Sequence, residues 1–203
     1  MIHVIGMGPG EGGYITELGN QLLEKADLII GATRHLEAVP PQCKGLKRAL
    51  DRKLEELTLF LKGNLEKEVV VLASGDPLIY GIGKYLSEQL PKEYLHIVSG
   101  ISSIQYFFSR LQMDMNDLYI TSTHGKVPHF DQLLSFEKVA LVTDQHIGPY
   151  EIAQEILKRS LKKTLWIGEN LSYGDEVISC LKPEEIEKER IFKRNVVVIL
   201  DEK

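Results

Sequence analysis

The chain has 203 residues, 43% of them hydrophobic, and a formal net charge of −5. That length points to one large domain or two small ones, with enough apolar content for a packed core and against wholesale disorder. Acids and bases are interspersed, and no basic stripe carries aromatic residues, so nucleic acid is a poor candidate partner.

Cys43 and Cys180 are too few and too isolated for a disulfide framework or a zinc knuckle. A reducing cytoplasm is therefore the expected compartment. The opening Ile2-His3-Val4-Ile5-Gly6 lacks the basic region and longer apolar stretch of a signal peptide, and no apolar run approaches membrane-spanning length. A soluble protein without membrane attachment is expected.

In chain order, Ile2 to Ile5 reads as a buried strand, followed by the glycine-rich run Gly6 to Gly13. A helix follows with Leu18, Leu22, Leu23 and Ala26 on one face, Thr16 as its cap and Glu17 in its first turn. Asp27 to Ile30 is a second strand, and Gly31 to His35 a loop opening a short helix. Residues 51 to 62 carry Leu54, Leu57 and Leu61 at helical spacing. Val69 to Leu72 is an apolar strand that breaks into Ser74-Gly75-Asp76-Pro77. A helix is expected next, with Ile79, Ile82, Leu86 and Leu90 on one stripe and Pro77 in its first turn.

Leu95 to Val98 is a further strand, Ser99 to Ser103 a loop, and Phe107, Phe108 and Leu111 mark the next helix. Gln112 to Asn116 is polar and aperiodic, which places a domain boundary between 113 and 114. Beyond it, Leu118 to Thr121, Val139 to Thr143, Thr164 to Ile167 and Val196 to Leu200 read as strands, and roughly 149 to 161 as a helix. The repeated order of strand, loop and helix predicts an α/β fold with largely parallel sheets, in domains 1–113 and 114–203.

The loops carry the candidate chemistry. Walker A fails because Tyr14 stands where lysine is needed, and Gly8, Gly10 and Gly13 form a GxGxxG whose expected ribose-binding acid is misplaced. No HExxH or paired-cysteine pattern suggests a metal, and Gly100 to Ile104 lacks the second glycine of a nucleophile elbow. The loop at Ser74 to Asp76 lies at the carboxyl end of a strand, where open α/β sheets bind ligands. Ser102 and Ser103 either cap a helix or meet a ligand lying across neighbouring strand ends. Arg34, His35, His124 and Lys126 follow predicted strands and together would form a cationic rim for a ligand with several carboxylates.

VIGMGPG, ASGDPLIYGIG, SGISSIQ and GENLSYGDE, in that order across nearly the whole chain, resemble the tetrapyrrole methylases, the class III methyltransferases that use S-adenosylmethionine. Within that family, IGATRHL, TSTHGK and GENLSYGDE resemble the branch that methylates carbon 5 of a precorrin ring in cobalamin biosynthesis. The resemblance implies two α/β domains with the cofactor in the cleft between them, and a homodimer. It places Pro9, Ser74, Gly75, Asp76, Ile79, Ser102 and Ser103 at the cofactor, with Thr143 and Leu171 on its adenosine side. The rim residues Arg34, His35, His124 and Lys126 are then expected to meet a small-molecule precorrin substrate, with His124 also a candidate for proton removal. Ser99 stands where the family has proline, Lys126 where it has arginine, and Gly174 where it has proline. Lysine lacks the planar fork that grips a carboxylate in two places. Since the sequence stops at Lys203, a C15-methylating decarboxylase is expected to be a separate partner. The rivals are a methylase acting on another tetrapyrrole position, on diphthamide precursor or on ribosomal RNA, and a non-catalytic nucleotide-binding module.

Overall fold

The computed structural model describes residues 1–50 and 53–202. They divide into two compact units, Met1–Ser102 and Ser103–Lys203.

The first unit holds a parallel sheet of β1 (Ile2–Gly6), β2 (Leu28–Gly31), β3 (Leu46–Ala49), β4 (Val69–Ala73) and β5 (Leu95–Val98) in the order β3-β2-β4-β1-β5. β1 and β4 are buried at every residue, because helices cover both faces of the sheet. Alternate residues then serve two cores. Ile2, Val4, Ile30, Val69 and Val71 pack with Leu57 and Leu61 of α3 (Leu54–Lys62) and Leu86 of α4 (Ile82–Gln89). Ile5, Ile29, Val70 and Leu72 pack with Leu23 of α1 (Glu17–Lys25) and with Val39 and Cys43. The period-two alternation of a strand thus becomes a three-layer unit.

Thr16 caps α1 as expected, its hydroxyl accepting from the Gly19 N–H at 3.1 Å. Three expectations shift. Gly31 to His35 is not all loop, since α2 spans Thr33–Glu37 and carries Arg34 and His35. Pro77 does not open a helix, since α4 begins after Gly81 and Pro77 lies in the preceding loop. β3 is an edge strand with exposed Leu46 that the sequence reading leaves out. The helix expected over 51 to 62 is observed from Leu54; residues 51 and 52 lie outside the described residues.

The second unit holds β6 (Tyr119–Ser122), β7 (Lys138–Val142), β8 (Lys163–Glu169), β9 (Val177–Leu181) and β10 (Asn195–Asp201) in the order β6-β7-β10-β8-β9. Only β6 and β7 run parallel; β10 is antiparallel to β7 and β8, and β8 to β9. This sheet is mixed, whereas the sequence reading expects parallel strands. One face packs Val139, Leu141, Ile167, Val197 and Ile199 against Ile152 and Ile156 of α7 (Pro149–Lys158), with Leu133 of the short α6 (Phe130–Leu133) beside them. α5 (Ser103–Leu111) packs against β7 and β10, and Gly168 lies under the Phe107 ring, so close that a Cβ would stand 2.9 Å from it. That packing groups α5 with the second unit, so the division falls at 102/103 and not at 113/114.

Candidate functional site

In the first unit, sheet order selects the place. β1 and β4 are neighbours, yet the connection after β1 leads to β2 on one side, and that after β4 leads to β5 on the other. Their helices, α1 and α4, cover opposite faces. Adjacent strands whose connections part in this way open a crevice at their carboxyl ends, where α/β sheets take ligands.

The loops after β1, β4 and β5 meet there. Gly75 N–H donates to the Gly8 carbonyl at 2.8 Å, and Met7 N–H to the Ala73 carbonyl at 2.8 Å. Gly75 sits at φ 61°, a conformation that glycine adopts without steric cost. A Cβ on Gly6 would stand 2.5 Å from both Gly100 Cα and the Gly75 carbonyl oxygen, and one on Gly100 would stand 2.2 Å from that oxygen. The three backbones therefore touch only because these positions carry no side chain. Asp76 closes the arrangement. Its Oδ1 accepts from Leu78 N–H at 2.7 Å and its Oδ2 from Gly100 N–H at 3.1 Å.

Ser74 and Arg34 are exposed, and Ser74 Oγ accepts from Arg34 Nη2 at 2.6 Å. His35 is buried, with its Nε2 3.1 Å from the same hydroxyl. α2 thus delivers two side chains to the loop after β4, which is the strand next to β2. Pro9, Ile79 and Ser103 are half-buried, and Ser102 is buried. A cavity of about 330 Å³ adjoins the glycine-rich loop on the α1 side, between Gly10, Gly13, Ile15, Asn20 and Pro40. It does not reach Ser74 or Asp76.

The second unit presents three further loops. His124, Gly125 and Lys126 follow β6 and are exposed. Thr143 is buried, its hydroxyl donating to Asn195 Oδ1 at 2.7 Å. Leu171 is buried as well, between Asn170 at φ 44° and Ser172 at φ 70°. Any ligand contact at 143 or 171 then falls mainly to backbone groups.

Carboxylates hold these loops. Glu176 Oε2 accepts from Ser172 N–H at 2.7 Å, and its Oε1 from Arg110 Nε at 2.8 Å. Burial alone would raise its pKa, but the Ser172 N–H, Tyr106 and Arg110 outweigh burial and hold it below the usual range. Asp175 takes Asn170 Nδ2 at 2.8 Å and Lys193 Nζ at 2.7 Å, and the Lys193 ammonium lowers its pKa most. Asp144 accepts from three backbone N–H groups, and those of Ile147 and His146 hold its carboxyl low.

Sequence reasoning missed the roles of Gly6, Gly100, Asp144 and Glu176. The signals are weak: an Asp two residues past a strand, as Asp144 is past β7, marks a turn, and nothing local announces which backbone it will tie. Among the described residues no cluster of three His, Cys, Asp or Glu side chains could hold a metal ion. The first unit's crevice, with the Ser74 hydroxyl exposed beside it, stands where α/β sheets take small organic ligands.

Comparison with known proteins gives the same direction. The cobalt-precorrin-7 C(5)-methyltransferase of Salmonella typhimurium is 39% identical over 204 residues, which covers 100% of both chains. The precorrin-6Y methylase of cobalamin biosynthesis from Archaeoglobus fulgidus has a structure similar to this one, with a TM-score of 0.79 and 25% identity, covering 100% of this chain and 99% of that one. The uroporphyrin-III C-methyltransferase of Thermus thermophilus, solved with S-adenosylhomocysteine, shares the fold at a TM-score of 0.80 and 19% identity, covering 98% of this chain and 96% of that one. The family model of the tetrapyrrole (corrin/porphyrin) methylases matches residues 1–186, and this chain belongs to that family.

Proposed function

We propose that this chain transfers a methyl group from S-adenosylmethionine to carbon 5 of a precorrin or cobalt-precorrin ring. The observation that carries the proposal is the 39% identity, along the full length of both chains, with a cobalt-precorrin-7 C(5)-methyltransferase. When bound, S-adenosylmethionine supplies a strongly electrophilic sulfonium methyl. A ring carbon conjugated to a pyrrole nitrogen is nucleophilic in the manner of an enamine, so its electron pair would form the new bond to the methyl carbon as the methyl–sulfur bond breaks and S-adenosylhomocysteine leaves.

The work left to the protein is placement. Holding carbon and methyl in line supplies about 7–11 kcal/mol of the barrier. In this reading Pro9, Ser74, Gly75, Asp76, Ile79, Ser102 and Ser103 form the cofactor's bed. Asp76 acts as a positioning residue, using both oxygens on backbone N–H groups. Thr143 and Leu171 contribute backbone contacts. Arg34, His124 and Lys126 face the ring's carboxylates, and buried His35 fixes the Ser74 hydroxyl. His124 is the candidate to accept the proton released as the ring regains its conjugation.

The reading also has the protein working as a cytoplasmic homodimer, with C15 methylation left to a separate enzyme. Cys43 and Cys180 are both free, as suits a reducing compartment, and no helix among the described residues is long and apolar enough to cross a membrane.

The test is incubation with methyl-labelled S-adenosylmethionine and a panel of precorrins and cobalt-precorrins, followed by locating the label by NMR. Label on carbon 5 is expected. Transfer to another ring carbon would leave the family standing and overturn the assignment. Sedimentation velocity tests the dimer.

A further inference from the structure

We infer that Asp144 is a positioning residue for substrate binding, acting through the loop Thr123–Lys126. The inference rests on the proposed role of His124 and Lys126 in contacting the ring.

β6 and β7 are parallel neighbours, so the loops that leave their carboxyl ends run side by side. Two reciprocal ties lace them together. Thr123 is buried; its hydroxyl donates to the Ile147 carbonyl at 3.0 Å and accepts from Asp144 N–H at 3.0 Å. Asp144 answers with its side chain. Oδ1 accepts from His146 and Ile147 N–H, both at 2.9 Å, which shapes the turn into α7. Oδ2 reaches across to Gly125 N–H at 3.3 Å.

Gly125 stands between the two proposed substrate-contacting residues, at φ +67°, and a Cβ added there would meet nothing within 4 Å. Crowding does not hold it in place. The Asp144 oxygen, the Ser122 hydroxyl accepting from His124 N–H at 3.1 Å and the Lys126 N–H to Thr123 carbonyl bond at 3.2 Å do. Of these only the Asp144 contact ties the tip of the loop to another element. A loop tip so fixed keeps the His124 and Lys126 side chains in register without ordering them anew for each substrate molecule.

Asp144→Asn separates the two duties. With its amide oxygen in the place of Oδ1, asparagine keeps the His146 and Ile147 bonds, while its NH₂ faces the Gly125 N–H and cannot accept from it. The expected result is a rise of about tenfold in substrate KM, unchanged S-adenosylhomocysteine affinity by calorimetry, and faster amide exchange at Gly125 and Lys126. Thr123→Val, which removes the hydroxyl at nearly constant shape, is expected to move KM the same way.

His124→Ala and Lys126→Ala are measured in parallel. If both leave KM unchanged, the loop does not touch the ring, and the inference falls with the reading it rests on. If they raise KM and Asp144→Asn does not, the positioning role alone is overturned. A KM rise in Asp144→Asn without faster exchange at Gly125 overturns it as well, because the loop was then not what Asp144 held.

Discussion

Gly6 and Gly100 allow three loops to share one space, and the cost of a single methyl group measures how tightly. In Gly100→Ala the new Cβ would lie 2.2 Å from the Gly75 carbonyl oxygen, and in Gly6→Ala 2.5 Å from it. Both obstacles are backbone, which yields only by moving a loop. Each variant is expected to lose about 1–3 kcal/mol in urea denaturation, the usual cost of overpacking. Gly12→Ala is the control, with nothing within 4 Å of its Cβ, and is expected to be neutral. Asp76 belongs to the same arrangement. Asp76→Ala frees two backbone N–H groups, and Asp76→Asn frees only that of Gly100. S-adenosylhomocysteine affinity by calorimetry is expected to fall by about tenfold or more in the alanine variant and less in the asparagine one. Equal affinity in all three proteins would show that these loops do not make the cofactor's bed. The sequence displays Asp76 as a loop carboxylate beside a glycine. It does not display Gly100 as its partner, because that contact spans the whole of α4 and β5.

Elements were legible where local chemistry decides them. Thr16 and Glu17 announce the start of α1, and the Thr16 hydroxyl does accept from Gly19 N–H. Thr16→Ala is expected to cost about 1 kcal/mol, read as a lowered midpoint in urea with unchanged slope; a shift in slope instead would mean that the cap also shapes the unfolded ensemble. Where tertiary contacts decide, the pattern misleads. Pro77 looks like a helix opener, but its carbonyl accepts from Gly83 N–H at 2.9 Å, and α4 starts only after Gly81. Leu-Lys-Arg-Ala over β3 carries no β-branched residue and is strand only because β2 offers it an edge. β10 reads as an unbroken apolar run, the mark of a parallel strand, yet both its neighbours are antiparallel. α5 and α7 are the reason: α5 packs directly on β10, and α7 shares a core with Val197 and Ile199. A strand buried on both faces loses the alternation that distinguishes the two cases. The loops of the site were readable for a different reason, since each follows a clear strand and carries residue types that turns demand.

At the scale of the whole molecule, pH acts on stability through particular carboxyls. Asp114, Asp131, Asp144, Asp175 and Glu176, in the second unit, are held below their usual range. The causes differ. The Lys138 ammonium lowers Asp114, the Arg159 guanidinium lowers Asp131 and the Lys193 ammonium lowers Asp175, whereas backbone N–H groups lower Asp144. A carboxyl whose folded pKa lies below its unfolded value stabilises the fold fully above the unfolded value, about 3.9 for Asp, and that contribution is lost as pH falls through the folded one. Amide exchange in β7, β8 and β10 is therefore expected to accelerate as pH drops below about 4, after correction for the intrinsic exchange rate. Asp114, Asp131 and Asp175 are exposed and paired with cations, whereas Asp144 and Glu176 are half-buried and bonded to backbone N–H groups, so salt divides them. At about 1 M salt, where the screening length is about 3 Å, the paired carboxyls contribute little, while the backbone bonds of Asp144 persist. The acid sensitivity left at high salt is then expected to shrink in Asp144→Asn, whose amide cannot titrate. If high salt abolishes the acid sensitivity of the unaltered protein, ion pairing accounts for all of it, and the turn that Asp144 holds adds nothing to the stability of the unit.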